Sequence, residues 1–179
     1  IAGATSDPEL PGYLSLVPTQ LATCLDAGGE VLAAMAKLHT ILIGGSRLDP
    51  TLRTRAEEAG LHIVESFGMT ETCGGCVYEG VPLPGVLVRT LEWDGATRIA
   101  IAGPVLLTRY LAQDTPFHDE LGTRWFISGD TGMIDAGGRL KVMGRADDVI
   151  ISGGLNIPPI RVDDALKNVS GVKDAWSVG

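Results

Sequence analysis

The 179-residue sequence predicts an α/β fold: a parallel βαβ sheet layer, then a stretch of antiparallel hairpins, then the opening of a small α+β domain. Three observations predict it. Thr40-Ile41-Leu42-Ile43 and Leu61 to Glu65 are short apolar runs joined by a helical segment, the pattern of two parallel strands with a right-handed crossover. From Pro84 onward, short β-type runs are punctuated by Asp94-Gly95 and Gly137-Gly138, which are hairpin turn pairs. After Pro158 a helical period returns once.

Taken in order, Pro18 to Ala27 and Val31 to Leu38 carry helical periodicity and are separated by Gly28-Gly29. The strand Thr40 to Ile43 stops at Gly44-Gly45. Asp49 is placed to cap the next helix and Pro50 to occupy its first position; Gly60 closes it. In parallel sheets ligands bind beyond the carboxyl ends of strands. Gly44-Gly45-Ser46 and Ser66 to Glu71 both follow such ends, so they are expected to face one pocket. The hairpin region offers Val86 to Glu92, Thr97 to Ala102, Arg124 to Ser128, Met133 to Asp135 and Leu140 to Met143 as strands. Pro158-Pro159 opens a helix through Asn168, and Val172 to Val178 reads as a strand. One helix and one strand bury no core of their own, so the chain is read as cut off inside a small domain at Gly179. The expected parts are residues 1–84, 85–146 and 147–179.

A formal charge of −8 argues against a general nucleic-acid binder, which would present a basic face. No apolar run reaches membrane-spanning length, and the N-terminus has no basic flank before an apolar stretch; the chain reads as cytoplasmic. Three cysteines do not suit a disulfide framework. Cys73-Gly-Gly-Cys76 admits a redox pair or half a zinc site, but there is no second pair, and His39, His62 and His118 are scattered. Two small residues lining a pocket beside the neighbouring Thr-Glu turn is the favoured reading.

That turn, Ser66-Phe67-Gly68-Met69-Thr70-Glu71-Thr72, carries the most chemistry. It gathers backbone N–H groups, a hydroxyl and a carboxylate at a sheet edge, the parts that hold a phosphate and its magnesium. The same local sequence is equally compatible with a helix start capped by Thr70. Downstream stand Trp125-Phe126-Ile127-Ser128-Gly129-Asp130 and Gly144-Arg145-Ala146-Asp147-Asp148, followed by Ile151-Ser152-Gly153-Gly154.

With Gly44-Gly45-Ser46, these motifs fall in the order and approximate spacing of the adenylate-forming acyl-CoA synthetases, and the chain resembles that family from about Ser15 to its end. Ser15 to Leu21 and Thr70 to Leu83 are most similar to its o-succinylbenzoate–CoA ligases of menaquinone biosynthesis, the second stretch to the actinobacterial type. The resemblance implies a distorted β-barrel where the hairpins lie. It also implies an AMP-forming ligase that activates a carboxylate with ATP and Mg2+ and passes it to CoA. Thr70 would bond the phosphate and Glu71 would ligate magnesium. Gly44, Gly45, Ser46, Ser66 and Phe67, with Gly68 and Met69, would frame the nucleotide. Phe67 stands where the family more often has tyrosine, which keeps the flat surface and drops a hydroxyl. Asp130 and Arg145 would take the ribose, against the simpler readings of a Gly-Asp-Thr-Gly turn corner and of an Arg145 surface pair with Asp147 or Asp148. Asp147 would be the hinge of a swinging C-terminal domain. Ser152, Gly153 and Gly154 would line the CoA channel, or simply form a glycine turn. Ser15, Gly74 and Gly75 would border the acyl pocket. A homodimer is the common state among such enzymes.

The family's lysine-ended phosphate loop and its C-terminal catalytic lysine find no match here, so these residues alone are expected not to adenylate. The rival readings are another aryl- or acyl-CoA synthetase or adenylation domain, and a non-catalytic nucleotide-binding fragment.

Overall fold

A computed structural model describes residues 11–152, 155–157, 159–172, 175 and 177. The chain forms two compact units, Ile1–Leu83 and Pro84–Gly179.

The first unit is a five-stranded sheet in the order β1-β2-β3-β4-β5, with β1 Tyr13–Leu16, β2 Thr40–Ile43, β3 Ile63–Met69, β4 Gly74–Tyr78 and β5 Val81–Pro82. β1, β2 and β3 are parallel, and β4 and β5 turn back antiparallel. Helix α1, Pro18–Ala27, begins at Pro18 because that residue lacks an N–H and needs no partner there. Gln20 Oε1 accepts the Val17 N–H at 3.0 Å and secures the same turn. Gly28, at φ +63, ends α1, and α2 follows at once as Gly29–Met35. The expected Val31–Leu38 helix is therefore shifted: it starts on Gly29, and past Met35 the chain tightens, with Leu38 N–H donating to Met35 at 3.0 Å. Asp49 caps α3, Pro50–Glu58, as its Oδ1 accepts the Thr51 N–H at 2.8 Å. Leu21, Met35, Ile41, Ile43, Leu48 and Ile63 form the core between these helices and the parallel strands.

Arg53 of α3 fastens the antiparallel hairpin to this layer. Its guanidinium donates to both carboxylate oxygens of Glu79 at 3.1 Å, and to Glu57 at 2.8 Å. Glu79 stands at φ +49 in the β4–β5 turn and also accepts the Glu65 N–H at 2.6 Å. The Glu79 hydrogen bond, opposed by burial, holds the Arg53 pKa above its ordinary value. Arg53→Met leaves Glu79 and Glu65 without their shared cation. Because these side chains are about a third exposed, the expected loss is modest, about 1–2 kcal/mol, read by urea denaturation of the full-length protein.

The second unit is an antiparallel sheet in the order β10-β9-β7-β6, with β8 also on β9. Its strands are β6 Leu87–Trp93, β7 Ala96–Ala102, β8 Phe117–Glu120, β9 Thr123–Ile134 and β10 Leu140–Arg145. Asp94 and Gly95, at φ +50 and +76, make the two-residue turn their sequence predicts. Arg124–Ser128 and Met133–Asp135, expected as two strands, fall in the single strand β9 except for Asp135, which lies just past its end. The strand stays continuous by changing partners, from β8 and β7 to β10. The sheet curls until β6 meets β8 through side chains: Arg89 pairs with Glu120, and the Trp93 and His118 rings sit 5.6 Å apart. Beyond it lie the hairpin β11 Ile150–Ser152 with β12 Leu155–Ile157, and helix α4 Pro159–Lys167. The expected Val172–Val178 strand lies largely outside the described residues.

Candidate functional site

The sequence reading ended β3 at Glu65 and placed Ser66–Glu71 beyond it. The strand instead continues to Met69. β2 stops at the Ile43↔Glu65 pair, and from Ser66 onward β3 is held by β4, with Ser66↔Tyr78, Phe67↔Val77, Gly68↔Gly75 and Met69↔Gly74 opposed. That partner comes later in the chain and from non-local pairing, so no local signal announces it. Between Phe67 and Gly68 the register slips, and this bulge re-aims the strand end.

Thr70–Thr72 then forms one turn of 3-10 helix, capped by Met69 and not by Thr70. The hydroxyl of Thr72 is the pin. Oγ1 accepts the Met69 N–H at 3.0 Å, and its own proton has the Gly74 carbonyl at 2.8 Å and the Met69 carbonyl at 3.1 Å within reach. Thr72 is buried, and sequence reasoning gave it no role; the signal was its place three residues after Met69, the spacing of a side chain returning to a cap. Cys73 follows in the left-handed region at φ +56, exposed, its N–H donating to the Thr70 carbonyl at 3.1 Å. Cys76 is fully buried; burial pushes its thiol pKa up, against a lowering by the Thr72 hydroxyl. The two cysteines do not line the cavity, as was expected of them; the glycines between them do. Among the described residues no group of three or more His, Cys, Asp or Glu side chains is placed to hold a metal.

That cavity, about 310 Å³, opens at the carboxyl ends of the parallel strands. Ser15 of β1 lines it, with Gly44 and Gly45 after β2; Ser66, Gly68 and Met69 of β3 and Gly74 and Gly75 of β4 complete the set. Leu16, Val17 and Gln20 join them, unassigned from sequence although they lie in the Ser15–Leu21 stretch already singled out. Ser46, Phe67, Thr70 and Glu71 are outside the lining. The floor is bare because side chains cannot fit: a Cβ on Gly44 would stand 2.6 Å from Ser66 Oγ, and Gly45 sits at φ +82. With five glycines in the lining, backbone rather than side chains borders much of the space.

In the second unit, Asp130 lies inside β9 opposite Arg145 of β10, so Gly129–Gly132 is strand and not the turn corner that the simpler reading supposed. Its N–H donates to the buried Ser128 hydroxyl at 3.1 Å. Arg145 reaches Asp130 at 3.7 Å and Asp147 at 3.6 Å, while Arg98 approaches Asp147 at 3.8 Å. The Arg145–Asp147 surface pair therefore forms together with the Asp130 contact. Gly129 leaves the guanidinium its berth: a Cβ there would stand 2.6 Å from Nη2. Gly129→Ala is expected to displace this flexible tip and break the Arg145–Asp130 approach with little loss of stability, under about 1 kcal/mol because the pair is partly exposed. A melting curve of the variant checks it. Ser152 ends β11, opposite Leu155; Gly153 and Gly154 lie outside the described residues.

Known proteins resemble this chain in sequence and in fold. The profile of the AMP-binding enzyme family matches residues 9–111. A probable 2-succinylbenzoate–CoA ligase of Mycobacterium tuberculosis is 40% identical over 171 residues, covering 93% of this chain and 43% of that protein. The 2-succinylbenzoate–CoA ligase of Enterococcus faecalis is 31% identical, with 93% and 38% covered. Among solved structures, the o-succinylbenzoate CoA synthetase of Bacillus subtilis with its acyl-adenylate intermediate superposes with a TM-score of 0.76 at 29% identity, over 94% of this chain and 38% of that one. The same enzyme with ATP and magnesium gives 0.74 at 28% identity, over 94% and 38%. The chain thus spans less than half the length of these relatives. With more than half of its own residues inside the family profile, it belongs to the AMP-binding enzyme family.

Proposed function

We propose that this chain is part of an ATP-dependent, AMP-forming acid–thiol ligase that activates o-succinylbenzoate as its acyl-adenylate and transfers it to CoA, in menaquinone biosynthesis. The observation that carries the reading is the glycine-floored cavity, which gathers Ser15, Gly44–Gly45, Ser66 and Gly74–Gly75 from separate strand ends. A carboxylate is a poor acyl donor; converting it to a mixed anhydride with AMP gives thiol attack a good leaving group.

In this reading Ser15, Gly74 and Gly75 border the acyl group, while Gly44, Gly45, Ser46, Ser66, Phe67, Gly68 and Met69 frame the nucleotide. Thr70 donates its hydroxyl to the α-phosphate. Glu71 fits magnesium, a hard cation commonly held by one or two carboxylates plus substrate phosphates. When bound, the ion would offset charge growing on the phosphate oxygens. Thr72 keeps the turn in shape so that Thr70 and Glu71 are presented without reorganisation. Asp130 accepts from the ribose hydroxyls, with Arg145 beside it. Asp147 is the hinge, with residues 147–179 opening the C-terminal domain after a barrel-like part at 85–146. Ser152, Gly153 and Gly154 belong to the CoA channel. A homodimeric enzyme of the cytoplasm completes the proposal; no helix among the described residues is long and apolar enough to cross a membrane.

The test is a ligation assay of the full-length protein with ATP, Mg2+, CoA and a panel of carboxylates. o-Succinylbenzoate should give the highest kcat/KM, with AMP and the thioester formed in equal amounts. Preference for a fatty or simple aryl acid would sink the substrate assignment, and release of ADP would sink the chemistry.

A further inference from the structure

Tyr78 stands directly opposite Ser66 across the β3–β4 ladder, and Ser66 lines the cavity. Its side chain folds back along β4 toward Gly75, also a lining residue. The hydroxyl lies 3.3 Å from the Gly75 carbonyl, long for an O–H···O bond, so the proton is weakly engaged. A Cβ on Gly75 would stand 2.8 Å from that hydroxyl and 3.5 Å from Ser66 Cβ. Tyr78 itself is outside the cavity lining, and the missing side chain at Gly75 leaves its phenol packed directly behind that lining residue. Tyr78 is also held from behind. The next residue, Glu79, is clamped by Arg53 at 3.1 Å through both carboxylate oxygens and by the Glu65 N–H at 2.6 Å. A phenol on a fixed backbone, with a loosely held proton beside a bare glycine floor, is suited to donate to an anionic acceptor that enters the cavity.

We propose that Tyr78 is a specificity-determining residue whose hydroxyl donates to the second, non-reacting carboxylate of a dicarboxylate substrate. This rests on the acid–thiol ligase reading above and adds to it the group that tells a diacid from a monoacid. A site that bonds a substrate's polar group discriminates strongly against analogues without it. Gly75 serves as the gap that admits the contact.

The experiment compares o-succinylbenzoate with 4-oxo-4-phenylbutanoate, which lacks the ring carboxylate, in the full-length wild-type enzyme and in Tyr78→Phe. The wild type should favour the diacid, and Tyr78→Phe should reduce that preference about tenfold or more, through KM for the acid and not KM for ATP. Gly75→Ala, which pushes the hydroxyl aside, should reduce the preference in the same direction. Equal losses on both acids, or an unchanged ratio, would overturn the proposal. A second readout needs no turnover. With 3-fluorotyrosine at position 78, the 19F resonance should move when the sulfamoyl-adenosine analogue of the preferred acid binds, and stay put with AMP. If the wild type prefers a monoacid, the substrate assignment fails by itself. The fluorine signal with that acid's analogue then still decides whether Tyr78 faces the acyl group, and an unmoved resonance overturns the contact.

Discussion

Gly68→Ala is expected to dismantle the β3–β4 hairpin and with it nucleotide binding. A Cβ at this position would lie 1.9 Å from the Gly74 carbonyl oxygen and 2.6 Å from Gly75 Cα. These are backbone atoms of the paired strand, so no rotamer change relieves the overlap. Gly68 does not adopt a left-handed φ, so the effect is contact and not torsional strain. The strands must separate at the Gly68↔Gly75 pair, which frees the Gly74 carbonyl from the Thr72 hydroxyl and loosens the Thr70–Thr72 turn. Overpacking of this kind costs about 3 kcal/mol or more when the backbone has to move. Activity is expected to fall below detection, with a lowered melting temperature. A variant that melts with the wild type and binds ATP normally would contradict the close approach.

Glu71→Gln has the second largest expected effect, and it separates chemistry from folding. The amide keeps the shape of the side chain in the 3-10 turn but is a poor ligand for a hard cation. Acyl-adenylate formation, followed by ATP–pyrophosphate exchange in the full-length protein, is expected to drop about 100-fold or more, the scale on which one electrostatic contact to the reacting phosphate acts. The magnesium concentration for half-maximal rate should rise in parallel, while the melting curve stays with the wild type. An unchanged magnesium dependence would remove Glu71 from its proposed role even if the rate fell.

Where the chain's own neighbours determine the structure, the sequence was readable. Asp49-Pro50 starts α3 as expected, Thr40–Ile43 is β2 to the residue, and Asp94-Gly95 makes its hairpin turn. What stayed hidden depended on distant partners or unusual turn residues. The β4–β5 hairpin turns on Glu79 and the β8–β9 hairpin on Leu121, both at φ +49, where Asn, Asp or Gly would have signalled a turn. β9 was split because Gly129 and Gly132 read as breaks. Gly129 instead makes room for Arg145, while at Gly132 a Cβ would stand 2.8 Å from the Ile99 side chain. At the site, the family was legible in the order of the motifs along the chain. Thr72 was not, since its importance lies in three hydrogen-bonding partners that only the folded turn brings together.

The most direct test of the account is a crystal structure of the full-length protein with the sulfamoyl-adenosine analogue of o-succinylbenzoyl-AMP. The account predicts the acyl group in the glycine-floored cavity between Ser15 and Gly74–Gly75, with the sulfamate in hydrogen-bonding distance of Thr70. An analogue bound with full occupancy elsewhere, that cavity left empty, would contradict it.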